Sequence, residues 1–546
     1  MKLKKITALL LASAMFAGCM TGCGGGDNSS SSSNTETGAV QAEQTEQASN
    51  HLNMAILMKA YMPNVKDSYS DCWQSMRFGE TECLTKVAQD GSIEPWLAKS
   101  WESSDDYKTW TIELRSDVKF SNGEAMTAQK VVDSLNYIYD YNDPEKGGDD
   151  GTGGPDALVN FMVRPAAITA DDAANTITLE FDSAVATVPG ALSNPAFAIV
   201  DWEASEGLDH ANKGEIATGP YAFDQVIDGH SVELVKNEYY YEEVPYDTVS
   251  LLGMEDSATV SMAIQDGSVD VAFNLAEADN TSLQGMGCDV SISSGSRTGF
   301  FFLNHEGVLG NDDLRKAIIK AIDWKTIDEI TVGGSYIYGY APISESFKEY
   351  GGDVENPLNY DVEAAVKMLD DAGIVDNDGD GIRELDGKNI ELNWSTNKSR
   401  QMDMLADAAI PMLQEIGINA THNFIDDQMQ TAESGNYDLV NWNQVTIQCG
   451  NGVNFMRQFL STSTSNYGKY NNPAYDEEFA KLDVTYDEAE MGQIISNLQK
   501  ILIDDGAIMV NGYYQFNSVN SVRATGAVAN GIADYYWLTN KIKPAN

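Results

Sequence analysis

Few stretches of this 546-residue chain place reactive residue types at a spacing that could do chemistry. The most suggestive is Asp376-Asn-Asp378-Gly-Asp380-Gly381-Ile-Arg-Glu384. Acids at loop positions 1, 3 and 5 with glycine at 6 match the way an EF-hand wraps calcium. Position 12 is Gly387 rather than the expected glutamate, and no flanking helix pair is evident, so an Asp/Gly-rich turn is the alternative. Calcium bound by Asp376, Asp378, Asp380 and Glu384 would be structural. The five histidines, His51, His210, His230, His305 and His422, each stand alone in sequence. Of the six cysteines, Cys72, Cys83, Cys288 and Cys449 lie beyond the N-terminal leader and form no CxxC pair, so no zinc knuckle or thioredoxin-like motif is indicated. Cys72 and Cys83 are either a disulfide or two buried thiols. The chain has no GxSxG, HExxH or P-loop, and an exported hydrolase would have to rest on a carboxylate pair alone. The expectation is therefore a binder and not an enzyme.

Charge narrows the classes. With 83 acidic and 34 basic side chains the formal net charge is -49. Phosphate-binding surfaces need a basic footprint, so nucleic acid is excluded as a partner. Hydrophobic residues at 42% are enough for a core, and the length calls for more than one lobe. Residues 1–22 have a lysine-rich start and a short apolar run, the pattern of a secretory signal rather than a spanning helix. Small residues lead to cysteine twice, at Cys19 and Cys23, and both sites resemble the lipobox of bacterial lipoproteins. Cys23 is favoured because Gly24-Gly-Gly26 and a serine tract follow it, with Cys19 the alternative. Residues 23–52 then read as the lipidated cysteine and a disordered tether, averaging roughly 25–30 Å in span. The expected location is extracytoplasmic, anchored to the membrane by lipid.

The elements that would position any site alternate between strands and helices, which argues for α/β. Trp110–Arg115, Asn175–Phe181 and Ser231–Lys236 alternate as half-buried strands, and Val118–Phe120 reads as an extension of the first. Phe300–Leu303 is an apolar run suited to a buried strand. Helices are expected from Thr127 to about Tyr139, and over Asp312–Ala321, Val362–Ala372, Met402–Ile416 and Met491–Asp504, with Pro411 kinking or splitting the fourth. Residues 142–154 read as a loop.

Several segments, in order, resemble the family 5 extracytoplasmic solute-binding proteins of ABC importers, which include oligopeptide, dipeptide and nickel binders. They are Glu94-Pro-Trp-Leu-Ala-Lys-Ser-Trp101, Trp110–Glu124, Ala217-Thr-Gly-Pro-Tyr221, Phe302-Leu-Asn304 with Asp313-Leu-Arg-Lys-Ala317, and Tyr470-Asn-Asn-Pro473. The resemblance implies a two-lobed periplasmic-binding-protein-like fold (class II, with an extra subdomain), hinged around a central cleft. By that analogy 53–296 and 506–546 form lobe I and 297–505 lobe II. It implies a monomer that delivers peptides, or a nickel chelate or other small solute, to a membrane permease. A membrane-signalling sensor is a further alternative.

The same resemblance supplies cleft candidates: Tyr61 and Met62 after the first strand, Arg77 and Glu80 before the Glu94 turn, and Trp442, Asn443 and Gln448 on the lobe II wall. Peptide binders of the family place an aspartate for the peptide's amino terminus at the position matched here by Gln448. A neutral amide cannot supply the charge-assisted bond that an ammonium prefers. Cys449 beside it reads as a buried thiol or, less simply, a soft metal ligand.

Overall fold

The computed structural model describes residues 50–546 apart from 66–68, 142–161, 210–211, 228, 351, 353, 533 and 546. The signal segment, Cys19, Cys23, most of the tether and the 142–154 loop therefore lie outside the described residues, as does His210. Strand β1 (His51–Ile56) takes in Leu52, which the sequence reading gives to the tether; its side chain is fully buried, which fixes it in the sheet.

Along the chain, β1 is followed by α1 (Tyr69–Arg77) and then by an antiparallel unit. That unit is β2 (Ala98–Ser103), β3 (Thr109–Leu114), α2 (Ala128–Tyr141), β4 (Ala167–Asp171) and β5 (Thr176–Glu180), with strand order β2-β3-β5-β4. The alternation in β3 and β5 turns Trp110, Ile112, Ile177 and Leu179 onto the buried face of α2. Val118–Phe120 does not extend β3. It folds back on itself, Phe120 N–H donating to Glu124 O and Met126 N–H to Val118 O, because Asn122-Gly123 makes a tight turn there.

Next come β6 (Tyr221–Ile227), β7 (Ser231–Lys236), β8 (Thr248–Gly253), β9 (Val271–Phe273) and the 15-residue β10 (Asp289–Leu303). The chain continues through α3 (Asp312–Ala321), α4 (Trp324–Ile330), β11 (Tyr336–Tyr338), α5 (Val362–Asp371), β12 (Glu391–Thr396), α6 (Met402–Glu415), β13 (Asn419–Phe424) and β14 (Leu439–Val445). It closes with α7 (Val453–Arg457), α8 (Glu488–Asp504) and β15 (Ile508–Asn520). Helix α6 runs through Pro411 as one element. Asn311, Asp361 and Asp487 cap α3, α5 and α8, each accepting a bond from a backbone N–H of the first turn.

One 11-stranded sheet joins the two halves, in the order β13-β12-β14-β10-β15-β9-β1-β8-β7-β6, with β11 on β15. The long antiparallel strands β10 and β15 run through its middle. Asp289–Ser294 pairs with Gln515–Asn520 beside β9, and Thr298–Phe302 pairs with Ile508–Tyr513 beside β14. The register breaks between Ser294 and Thr298, so the bulge falls where the sheet passes from one half to the other. Residue pair 296/297 lies in that bulge. Phe301, Trp324, Leu405 and Trp394 fill the core on one side of the far half; Phe300, Phe302, Phe455 and Leu498 fill the other.

Asp328 is an acid in this packing. On α4 it is 1% exposed, neither carboxylate oxygen has a hydrogen-bond partner, and Oδ2 lies against Gly512 of β15. Burial, then the neighbouring Glu329, push its pKa up to about 8. The native state keeps a proton that the unfolded chain releases near pH 4, so stability falls as pH rises from about 4 to 8, by at most about 1.4 kcal/mol per unit. Asp328→Asn removes this slope. Urea denaturation at pH 5 and pH 8 should show the variant gaining on wild type at the higher pH; parallel losses would refute the assignment.

Candidate functional site

The last turns of α1 project Trp73 and Arg77, four residues apart, onto one wall of an interlobe pocket, with Gln74 beside them. The facing wall is built by Trp442 and Asn443 of β14, by Gln448 in the turn after it, and by Asn454, Phe455 and Arg457 of α7. Arg297, in the bulge of β10, lies between the walls. The pocket holds about 570 Å³, within the usual range for small-molecule sites.

Behind its wall lies an ion cluster. Asp534, with no exposed side-chain surface, takes Arg77 Nη2 at 2.7 Å and Arg297 Nη2 at 3.1 Å on the same oxygen, Oδ2. Arg77 Nε also donates to Asp534 O at 2.7 Å, and its guanidinium stacks 4.6 Å from the Trp537 ring centroid. Arg297 Nη1 reaches Asn443 O and Oδ1 at 3.3 and 3.2 Å, tying the hinge strand to β14. Burial alone would raise Asp534, but Arg77, Arg297 and Arg400 hold its carboxyl below the usual range. Burial lowers Arg297 to about 10, which leaves it cationic at neutral pH.

The aromatic wall is braced by its neighbours. Trp442 is half-buried, edge-on to Phe302 at 5.4 Å and tilted against Tyr467 at 5.1 Å. The turn after β14 is strained, with Cys449 at φ 62° and Gly450 at φ 75°. A side chain on Gly450 would meet Ile93 at 2.6 Å, so glycine lets the two lobes approach here. Asn194 Nδ2 donates to Cys449 Sγ at 3.6 Å and Cys83 Sγ donates to Asn194 O at 3.1 Å, so both sulfurs are buried thiols in the packing between lobes. Cys72 and Cys83 are likewise free thiols rather than a disulfide; Cys72 donates to Val65 O at 3.4 Å.

Arg77, Trp442, Asn443 and Gln448 thus share one pocket. Tyr61, Met62 and Glu80 do not line it. Tyr61 Oη donates to Asp71 Oδ1 at 2.8 Å, and Met62 packs on the β1–β8 core. Glu80, 1% exposed, accepts from Ser75 Oγ and from the Glu215 backbone N–H, which makes it a bracket for the 214–219 loop. Its pKa is raised by burial and then by Glu215. Asp534, Arg297 and Arg457 escaped the sequence reading.

None of the described histidines lines the pocket, and among the described residues its lining has no Cys, Asp or Glu. His422 is held between Thr396 Oγ1 and Asp407 Oδ1, and His305 faces Ala507 O. In the acidic loop, Asp376, Asp378 and Glu384 each bring one oxygen within 4.8 Å of the others. Asp380 is turned away, accepting from Ile382 N–H and Asn389 Nδ2, while Asp376 accepts from the N–H groups of Gly379 and Gly381.

Residues 92–467 match the family described as bacterial extracellular solute-binding proteins, family 5. The chain belongs to that family. Among family 5 relatives, the nickel-binding protein NikA of Staphylococcus aureus is 25% identical over 454 residues, covering 81% of this chain and 84% of NikA. The periplasmic oligopeptide-binding protein OppA of Haemophilus influenzae is 22% identical over 466 residues, covering 78% of this chain and 81% of OppA. The structure of S. aureus NikA with Ni(L-His)2 superposes with a TM-score of 0.73 at 20% identity, over 91% of this chain and all of that one. AppA of Bacillus subtilis with a nonapeptide gives 0.71 at 18%, over 91% and 99%. These likenesses show the two-lobed α/β binding-protein fold. No described helix is long and apolar enough to cross a membrane.

The ion cluster gives a direct test. Asp534→Asn leaves two buried guanidiniums around a neutral side chain and should cost about 3–5 kcal/mol. Denaturant unfolding measures this; a loss under about 1 kcal/mol would mean that the arginines do not depend on Asp534.

Proposed function

We propose that the chain captures peptides in the pocket between Trp442 and α1 and hands them to an ABC permease. The observation that supports this most is the composition of the lining: Gln74, Asn443, Gln444, Gln448, Asn451, Asn454 and Gln458 present both donors and acceptors, the groups that satisfy a peptide backbone withdrawn from water. Trp442 and Tyr467 add an apolar face for side chains. Asn451 also borders a second cavity of about 1260 Å³, lined by Trp101, Tyr107 and Tyr486, so an extended chain has room to continue. A metal ion held directly by protein is disfavoured because the lining offers no imidazole, thiolate or carboxylate. A chelate carrying its own ligands is the second reading. NikA and OppA, named for nickel and for oligopeptides, mark those two choices.

In this reading the protein binds without transforming its solute and needs no cofactor. It works as a monomer on the outer side of the membrane, held by lipid on Cys23 or Cys19. A calcium ion in the Asp376 loop would be structural and would find three converging carboxylates.

Native mass spectrometry of freshly purified protein should show a ladder of peptide masses. Trp442→Ala should lose the ladder and weaken peptide binding about tenfold or more while the protein remains folded by circular dichroism. A single metal-chelate mass in place of the ladder would overturn the peptide reading.

A further inference from the structure

Three guanidiniums, those of Arg77, Arg297 and Arg457, line the pocket, and among the described residues no acidic one does. The chain as a whole carries 83 acids against 34 bases, so an average stretch of its surface would show the opposite balance. The single carboxylate behind the wall, Asp534, is shared by Arg77 and Arg297 and cannot neutralise both. Arg297 is 8% exposed and its Nε has no hydrogen-bond partner. Arg457 ends α7 with its guanidinium 5.1 Å from the Phe479 ring centroid; its Nε is buried without a partner, and no ion pair neutralises it among the described residues. Arg400 adds a further positive field to the same cluster from a backbone held at φ 51°, followed by Gln401 at φ 60°. Two successive non-glycine residues in the left-handed region are costly and persist only where surrounding structure enforces them.

We propose that the pocket docks its solute by an anionic group, a carboxylate received among Arg457, Arg297 and Arg77, so that a bound peptide enters carboxylate-first. This rests on the pocket being the solute site. Guanidinium forks match a carboxylate in shape and charge, and an ammonium would be repelled by the same wall. The neutral Gln448 agrees with it, since the described lining offers an amino terminus amide oxygens but no carboxylate for a charge-assisted pair. A peptide's end and a small organic acid both carry this group, and the probes separate these sources.

The test uses the full chain freed of co-purified solute. Its probes are pools of random pentapeptides with uncharged side chains, supplied as free acids, as C-terminal amides and as N-acetyl acids, together with citrate. Calorimetry should give the acid pool at least tenfold tighter binding than the amide pool, with N-acetylation changing affinity less than threefold. In Arg457→Gln the acid pool's advantage should shrink to under threefold, and Arg457→Lys should keep part of it. Acid and amide pools binding alike would overturn anionic docking and leave the peptide reading standing, and this comparison needs no variant. Retention of the full advantage in a folded Arg457→Gln protein, or loss of binding on N-acetylation alone, would also overturn it. Citrate binding that depends on Arg457, with neither peptide pool bound, would support anionic docking and remove peptides as the solute. No binding by any probe would overturn both.

Discussion

A buried carboxylate that must serve two arginines is the constraint on which this site depends. Asp534 has no access to water, and its charge is held by Arg77 and Arg297, which meet it at Oδ2, with the field of Arg400 added. Each arginine comes from a different part of the fold: Arg77 from the end of α1, Arg297 from the hinge bulge. The C-terminal segment carrying Asp534 is itself pinned to that bulge, Ser296 N–H donating to Gly531 O and Ser296 Oγ to Ile532 O. The ion cluster therefore fixes the relative positions of helix, hinge strand and tail. Because Arg297 also grips Asn443, the same cluster reaches the opposite wall of the pocket.

The crossing strands explain why the pocket lies where it does. The β10–β15 register breaks twice, between Ser294 and Thr298 and again between Gly299 and Phe300, and the first break frees Arg297 from the ladder. Trp442 sits on β14 directly opposite Phe300 in the register, one strand from the crossing. Its indole is held by Phe302 and Tyr467, which limits its rotamers at the wall. A braced wall of this kind lowers the ordering cost of binding.

Much of the fold was legible because its signals are local. The alternation in Ser231–Lys236 and the periodicity of Asp312–Ala321 mark β7 and α3 at those residues, since each buries one face against its own neighbour. Pro411 misleads, as packing of Leu405, Ala409 and Leu413 in the core holds α6 together through it. The site was legible only in part. Trp442, Asn443, Gln448 and Arg77 follow from the order of motifs, but the partner of Arg77 lies 457 residues away. No spacing rule links Arg77 to Asp534, and Arg457 has no motif at all. Glu80 reads as a cleft acid by the family analogy, in the segment before the Glu94 turn, yet α1 ends at Arg77 and Glu80 is buried.

Bulk charge and local charge oppose each other here, and distance decides which one a solute feels. The net charge of -49 is spread over a surface screened within about 8 Å in physiological salt. It sets which molecules approach, favouring cations weakly and keeping polyanions away. At the pocket wall Arg297 is 8% exposed and Asp534 is buried, so the fixed groups there are screened less than charges on the exterior. Those groups are guanidiniums and amides, with Asp534 compensating only one positive charge. An acidic shell around a cationic pocket separates two requirements that a uniform surface could not meet together: remaining soluble and unattached to polyanions outside, and holding a small anionic group tightly within.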